Sequence, residues 1–272
     1  MNRRGFALIA ALWLLVALSL VALDLSLRGR ARRLAAANAR EAAQGRAAAG
    51  AGVAHARALL ERRLERAVER GGATVAASLD PWRELGSLLP DSQAVPGGWY
   101  HVRLRDAGAA LNLNRCDEDE LRRLLVALRV DAGDADRIAQ AAMDWRDADG
   151  LRRGRGAERE EYVRAGAADL PSNAPFVDVA ELRRVRGVSD PVFRRVEPFL
   201  TVLGSGQVNL GTAPREVLLS LPGINEEAAS AIIRRRGGWR GLGSVADLGP
   251  ELSPRAREAF LRDFPRLMAR AT

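Results

Sequence analysis

The chain has 272 residues, 47% of them hydrophobic and 28% charged, which leaves room for a membrane segment and one or two domains. Its formal net charge is +8, but all 42 basic side chains are arginines spread among 34 acids, so charge alone does not define a phosphate-binding face. The single cysteine, Cys116, excludes an internal disulfide and any cysteine-based zinc cluster.

At the N-terminus Arg3-Arg4-Gly5 precedes an apolar run from Phe6 to Leu23, broken only by Ser19. A run of 18 residues is at the short end of what a helix needs to cross a hydrocarbon core of ~30 Å. Three readings fit: a secretory signal peptide, a plain membrane anchor, or a short leader removed ahead of a retained helix. A signal peptide wants a shorter apolar core and a small-x-small cleavage site, whereas here Asp24 and a train of arginines follow. The junction Arg3-Arg4-Gly5-Phe6 resembles the class III leader of type IV pilins and type II secretion pseudopilins. That resemblance implies a leader over 1–5, cut by a prepilin peptidase between Gly5 and Phe6. It also implies methylation of Phe6 and a transmembrane helix over 6–27 that packs against other subunits through Phe6, Ala10 and Ala17. Most such proteins carry glutamate at the fifth mature position, which is Ala10 here. A charged side chain in mid-bilayer costs roughly 3 kcal/mol or more unless paired, and its usual partner is the terminal amine of the next subunit. Its absence is a habit of the minor pseudopilin K family, whose members have no subunit ahead of them.

No proline falls between Phe6 and Arg70, and an unbroken helix of that span would reach roughly 95 Å. Over 28–72 the residues Leu34, Ala42, Val53, Leu59, Leu60 and Leu64 suggest an amphipathic stripe. Gly45, Gly50 and Gly52 weaken it, and Gly71-Gly72 ends it. A loop over 73–98 carries Trp82 as a packing anchor. The alternation from Trp99 to Arg105 predicts a strand, Asp106-Ala107-Gly108 a turn, and Ala110 to Asn114 the returning strand, a hairpin that completes a 73–114 segment.

From Asp117 the pattern is helical and repeats. Three segments, opening at Asp117, Asp178 and Thr212, each place a capping residue before a helix, a short turn and a second helix. The first and third follow matching pieces, Leu111-Asn112-Leu113-Asn114 and Val208-Asn209-Leu210, and such periodicity predicts a compact α-domain. Leu221-Pro222-Gly223-Ile224 resembles the helix-hairpin-helix motif of competence-type DNA receptors, a likeness that Trp239 to Val245 extends. In that motif the turn amides hold a phosphate as a helix N-terminus does, with Gly223 supplying the backbone and Arg234 to Arg236 the counter-charge. The same turn also serves simply to pack two helices, and Glu226-Glu227 sets two acids where a phosphate would approach.

Between the first and second segments Asp144, Asp147, Asp149, Glu158, Glu160 and Glu161 gather six carboxylates within 18 residues, a supply suited to a hard cation. The spacing is not that of an EF-hand, because with Gly150 in the sixth place the first ligand position falls on Trp145. A solvated loop balanced by Arg146, Arg152, Arg153 and Arg155 is the plain alternative. Asp-Trp-x-Asp-x-Asp, a loop, Gly-Ala-Glu with further acids and Tyr162, then Asn173-Ala174-Pro175-Phe176 and Glu181-Leu182-Arg183, is similar to the α-domain of the minor pseudopilin K family. The likeness implies that the six carboxylates are candidate calcium ligands, with Arg159 standing where the family often has an acid.

The resemblance runs from Gly5 to about Leu248. It implies an α-rich α+β fold with a long N-terminal transmembrane and amphipathic helix and a small pilin-like antiparallel β element. A large inserted all-α domain with helix-hairpin-helix-like units follows, over 115–205, and then a second such unit with a C-terminal helix over 206–272. After Leu248 the family returns to its sheet, whereas Glu251 to Arg270 reads as a helix, so a sheet reduced to the hairpin is expected. The implied function is that of a minor pseudopilin in the inner membrane with a periplasmic head. It would cap or nucleate the pseudopilus tip with the I- and J-type minor pseudopilins on the inner-membrane secretion platform. The alternative is a membrane-anchored helix-hairpin-helix DNA receptor, although nucleic acid is not the expected partner. No catalysis is expected: His55, His101 and Cys116 have no evident partners in sequence, and no Ser–His–Asp or Walker pattern occurs.

Overall fold

Alanine, leucine and arginine are strong helix formers, and they carry α1 unbroken from Arg3 to Glu69. The computed structural model describes residues 3–69, 92–167, 170–237 and 245–270; Gly71-Gly72, Trp82 and residues 239–244 lie outside them, as do the side chains of Phe6, Ala10 and Leu64. The chain divides into two compact units, Met1–Leu60 with Ser87–Arg103 and Glu61–Gly86 with Leu104–Thr272.

In the first unit, Leu12 to Leu27 present exposed apolar side chains, Trp13 at 69% and Leu20 at 61% exposure, and Ala17 is exposed among them. Within Leu12–Arg62 an 18-residue window has mean hydropathy 1.8 with none of it buried, and the helix is long and apolar enough to cross a membrane. Further along α1, Gln44, Ala48, Gly52 and Ala56 recur every four residues and so share one face. On that face sits an antiparallel ribbon of β1 (Gln93–Val95) and β2 (Gly98–Tyr100), joined through Pro96 and Gly97 at φ 89°. A Cβ on Gly52 would lie 2.8 Å from both Tyr100 Cδ2 and Val102 Cγ2, so the glycine admits the ring against the helix backbone. Tyr100 is buried with its hydroxyl 2.7 Å from His55 Nδ1, while Trp99, on the opposite face of the strand, is 70% exposed.

Two expectations change here. The buried face of α1 is the small-residue stripe rather than the leucine one, since Leu34 and Val53 are exposed; an aromatic ring brought this close requires small partners. The hairpin also moves. Tyr100 ends its strand, which pairs with the upstream Gln93–Val95, and residues 101–106 belong to no ladder. Asp106 then caps a 3₁₀ turn over Ala107–Ala109 by accepting the Gly108 amide at 2.8 Å. That turn redirects the chain, and β3 (Leu111–Asn112) pairs in parallel with β4 (Leu200–Thr201).

In the second unit the helices of the three predicted segments form, but Thr212 does not cap the third: its helix starts after Pro214 without a side-chain cap, and the Thr212 hydroxyl donates to Asp106. α2 (Glu118–Ala127) opens with a reciprocal capping box between Asp117 and Glu120, and α3 (Ala132–Arg146) is capped by Asp131. A short α4 (Arg159–Arg164) follows. Asp178 caps a 3₁₀ helix over Val179–Arg184, and Ser189 caps α5 (Asp190–Val196). α6 (Arg215–Ser220), α7 (Glu226–Gly237) and α8 (Pro254–Arg270) complete the unit. Each helical pair turns through one left-handed residue, Arg129 at φ 60°, Gly187 at 90° and Gly223 at 73°. The matching strand-like pieces are true structural repeats. Asn112 Oδ1 accepts the amide of Asn114 and its carbonyl that of Cys116, both at 2.8 Å; Asn209 does the same for Gly211 and Ala213, both at 2.9 Å. One core joins these helices, with Leu121, Ile138, Phe193, Leu218 and Phe260 at most 1% exposed.

Candidate metal centre

The acidic loop hangs from the C-terminal end of α3 and returns at α4. Its wall is aromatic: Trp145, 2% exposed, stands edge-on to Tyr162 at 5.6 Å and stacks on Phe176 at 6.5 Å. The backbone carbonyl of Trp145 accepts the Asn173 amide at 3.0 Å, and Asn114 both donates to and accepts from the backbone of Phe176 at 2.8 Å. Tyr162 accepts the Arg186 amide at 2.9 Å, and burial pushes its phenol up to about 12.

Against that wall the six carboxylates take separate places. Asp147, Asp149 and Glu158 each present an oxygen within 4.8 Å of the other two. Asp144, fully buried, faces Arg153 instead, accepting its Nη1 at 2.7 Å and its backbone amide at 3.2 Å. Glu160 is exposed on α4. Glu161 accepts the Glu158 amide at 3.1 Å; that bond, with Arg152 and Arg164 nearby, holds its carboxyl below the usual range.

Within the trio, Asp147 Oδ1 and Glu158 Oε1 are buried with no hydrogen-bond partner, and Glu158 is only 6% exposed. Burial raises the Glu158 carboxyl, and the charges of Asp144, Asp147 and Asp149 add to it. Orphaned buried acceptors of one sign invite a cation. The trio offers hard oxygens and neither nitrogen nor sulfur, a donor set suited to calcium rather than zinc. Two residues that complete the site escape sequence reading. Arg153 was one of several arginines in the loop, and only the fold turns it inward. Gly156 lies where a Cβ would collide with the Asp144 carboxylate; its place in a Gly-Arg-Gly run was the available signal.

The turn of the third helical hairpin is packed against its neighbours. Its turn glycine is covered by α8, so that a Cβ on Gly223 would lie 3.0 Å from Asp263 Cβ and 3.4 Å from the carbonyls of Ala259 and Phe260. Several of the nearby charges are engaged within the fold. Glu227 accepts both the amide and the hydroxyl of Ser253 at 2.6 Å, Glu226 pairs with Arg215, and Arg235 pairs with Glu251 at 2.7 Å. Arg236 donates to the Ala213 carbonyl at 2.5 Å. The histidine on the helix also has a partner, contrary to its bare look in sequence, through the His55–Tyr100 contact. Cys116 is buried, and burial pushes its thiol up to about 11, which leaves it a poor nucleophile.

Residues 104–205 match the family model of type II secretion system (T2SS), protein K. The type II secretion system protein K of Pseudomonas aeruginosa is 29% identical over 248 residues, which cover 87% of this chain and 73% of that protein. The Dickeya chrysanthemi protein K is 33% identical over 130 residues, 44% of this chain and only 36% of the relative. A chain of the GspK-GspI-GspJ complex from the enterotoxigenic Escherichia coli type 2 secretion system shares the fold, with TM-score 0.66 and 22% identity over 86% of this chain and 84% of that one. The chain is thus similar to type II secretion system protein K, by the family model over residues 104–205 and by relatives of which it spans 36% and 73% of the length.

Proposed function

We propose that this chain is a minor pseudopilin that caps or nucleates the pseudopilus tip, with a structural rather than a catalytic task. One observation carries the reading: a single helix presents a bare apolar stretch at Leu12 to Leu27 and, further along, the small-residue face that seats the β ribbon. Such a helix supports a single-pass subunit held in the inner membrane by its N-terminal part, with the helical domain in the periplasm. The E. coli complex unites GspK with GspI and GspJ; for this chain the corresponding partners are I- and J-type minor pseudopilins. Ala17 and its neighbours would pack against their membrane helices by close van der Waals contact. Processing by a prepilin peptidase between Gly5 and Phe6 leaves the apolar stretch on the mature protein. N-terminal mass spectrometry of the membrane-extracted protein tests this. A chain beginning at methylated Phe6 is expected, and an intact Met1, or a chain starting beyond Leu23, overturns it.

Calcium is the cation that the acidic loop would hold, through Asp147, Asp149 and Glu158, where its charge would relieve the crowding of three carboxylates. The orphaned oxygens of Asp147 and Glu158 support this. The measurement is the melting temperature of the detergent-solubilised chain in calcium and in chelator. A rise in calcium that disappears in Asp147→Asn and Glu158→Gln is expected, and equal melting in both conditions for the unmodified chain sinks the assignment.

A further inference from the structure

We propose that Arg153 is the resident counter-cation of the acidic loop: it shares Asp147 with the metal site, keeps the loop folded when no metal is present, and holds calcium affinity down. The inference rests on the calcium reading above and assigns a role to a residue that is not itself a ligand.

The geometry divides the cluster into two halves. Arg153 Nη1 bridges Asp144 Oδ1 at 2.7 Å and Asp147 Oδ2 at 2.5 Å, and its backbone amide reaches Asp144 again. Its Nε lies 3.8 Å from Glu118 Oε2 on α2. Asp144 is fully buried, so a buried charge there requires a fixed partner, and the guanidinium supplies one independently of any ion. Gly156 keeps the space beside that carboxylate clear. Asp147 belongs to both halves, with Oδ2 held by Arg153 and Oδ1 buried without a partner. The bond to Oδ2 draws charge from the Asp147 carboxylate and leaves Oδ1 as its unpartnered oxygen beside Asp149 and Glu158 in the trio. A permanent positive charge beside a divalent site also repels the incoming ion.

Removing this charge while keeping hydrogen-bonding capacity is therefore expected to tighten calcium binding and to weaken the metal-free loop. The test is isothermal titration with calcium chloride, together with melting in calcium and in chelator, on the full chain in detergent. Arg153→Gln is expected to lower the calcium Kd at least tenfold, lower the melting temperature in chelator and enlarge the calcium-dependent rise. Arg153→Lys, which keeps the charge, should bind calcium within about threefold of the unmodified chain, and it remains informative if Arg153→Gln does not fold. An unchanged or weaker affinity in Arg153→Gln, or a tenfold gain in Arg153→Lys, overturns the role of Arg153 and leaves the calcium site standing. Failure of calcium to bind the unmodified chain and both variants overturns the site and the role together.

Discussion

Arg270 grips both carboxylate oxygens of Glu120, with Nε at 2.8 Å from one and Nη2 at 3.0 Å from the other, joining the end of α8 to the first turn of α2. Glu120 is 1% exposed and also closes the capping box on the Asp117 amide at 2.9 Å. Arg270→Ala strands a buried carboxylate, and denaturant unfolding is expected to record a loss of about 3 kcal/mol or more. Adding Glu120→Gln to that variant should recover part of the loss, and strict additivity of the two changes would count against direct coupling.

The sign of a substitution at Gly52 reports whether the ribbon seats on α1. Helix propensity alone predicts that Gly52→Ala stabilises by about 1 kcal/mol. The packing predicts the reverse, because the new methyl would meet the Tyr100 ring and Val102 at 2.8 Å, and overpacking of this kind costs roughly 1–3 kcal/mol. Hydrogen exchange at the paired amides of β1 and β2 should accelerate in the variant; slower exchange would refute the close approach.

Gly156→Ala tests the other close approach in the same manner. Its methyl must displace the Asp144 carboxylate, and with it the bond to Arg153, so a loss of about 2 kcal/mol is expected in chelator. A thermal melt unchanged from that of the parent chain would show that the loop yields freely.

Alkaline pH should undo the helical domain through two buried acids. In the unfolded chain Cys116 and Tyr162 titrate near their ordinary 9.0 and 10.0, whereas burial holds them at about 11 and about 12 in the fold. The folded state therefore retains more protons, and its stability is complete below the ordinary values and falls as pH rises through each window. At 1.36 kcal/mol per unit, Tyr162 alone accounts for roughly 2 kcal/mol between pH 10 and 12. Tyr162→Phe gives up the bond from Arg186 at neutral pH but should flatten the decline above pH 10, as should Cys116→Ala above pH 9. Parallel alkaline profiles in all three proteins would contradict this.

Local signals were legible in sequence and long-range pairings were not. The caps at Asp117 and Asp178, the turn glycines Gly187 and Gly223 and the unbroken α1 follow from residue chemistry within a few positions. The acidic cluster was visible as composition, but which three of six carboxylates converge depends on where α3 ends and α4 begins. Arg153 could not be told from Arg152 or Arg155 by spacing, since only the folded loop turns one of them toward Asp144. The hairpin was placed one strand too late because alternation continues past Tyr100, although the chain turns at Pro96-Gly97. The leucines of α1 outweighed its small residues in the pattern, yet the buried face is the one that admits an aromatic ring.

The parallel bridge between Leu111 and Leu200 bears on the order in which the molecule assembles. Its strands are separated by roughly ninety residues, and closing so long a loop carries an entropic penalty that only prior compaction can offset. The intervening helices, stabilised by near-neighbour contacts, are thus expected to condense first and the bridge to seal last, in keeping with the slow kinetics of distant contacts.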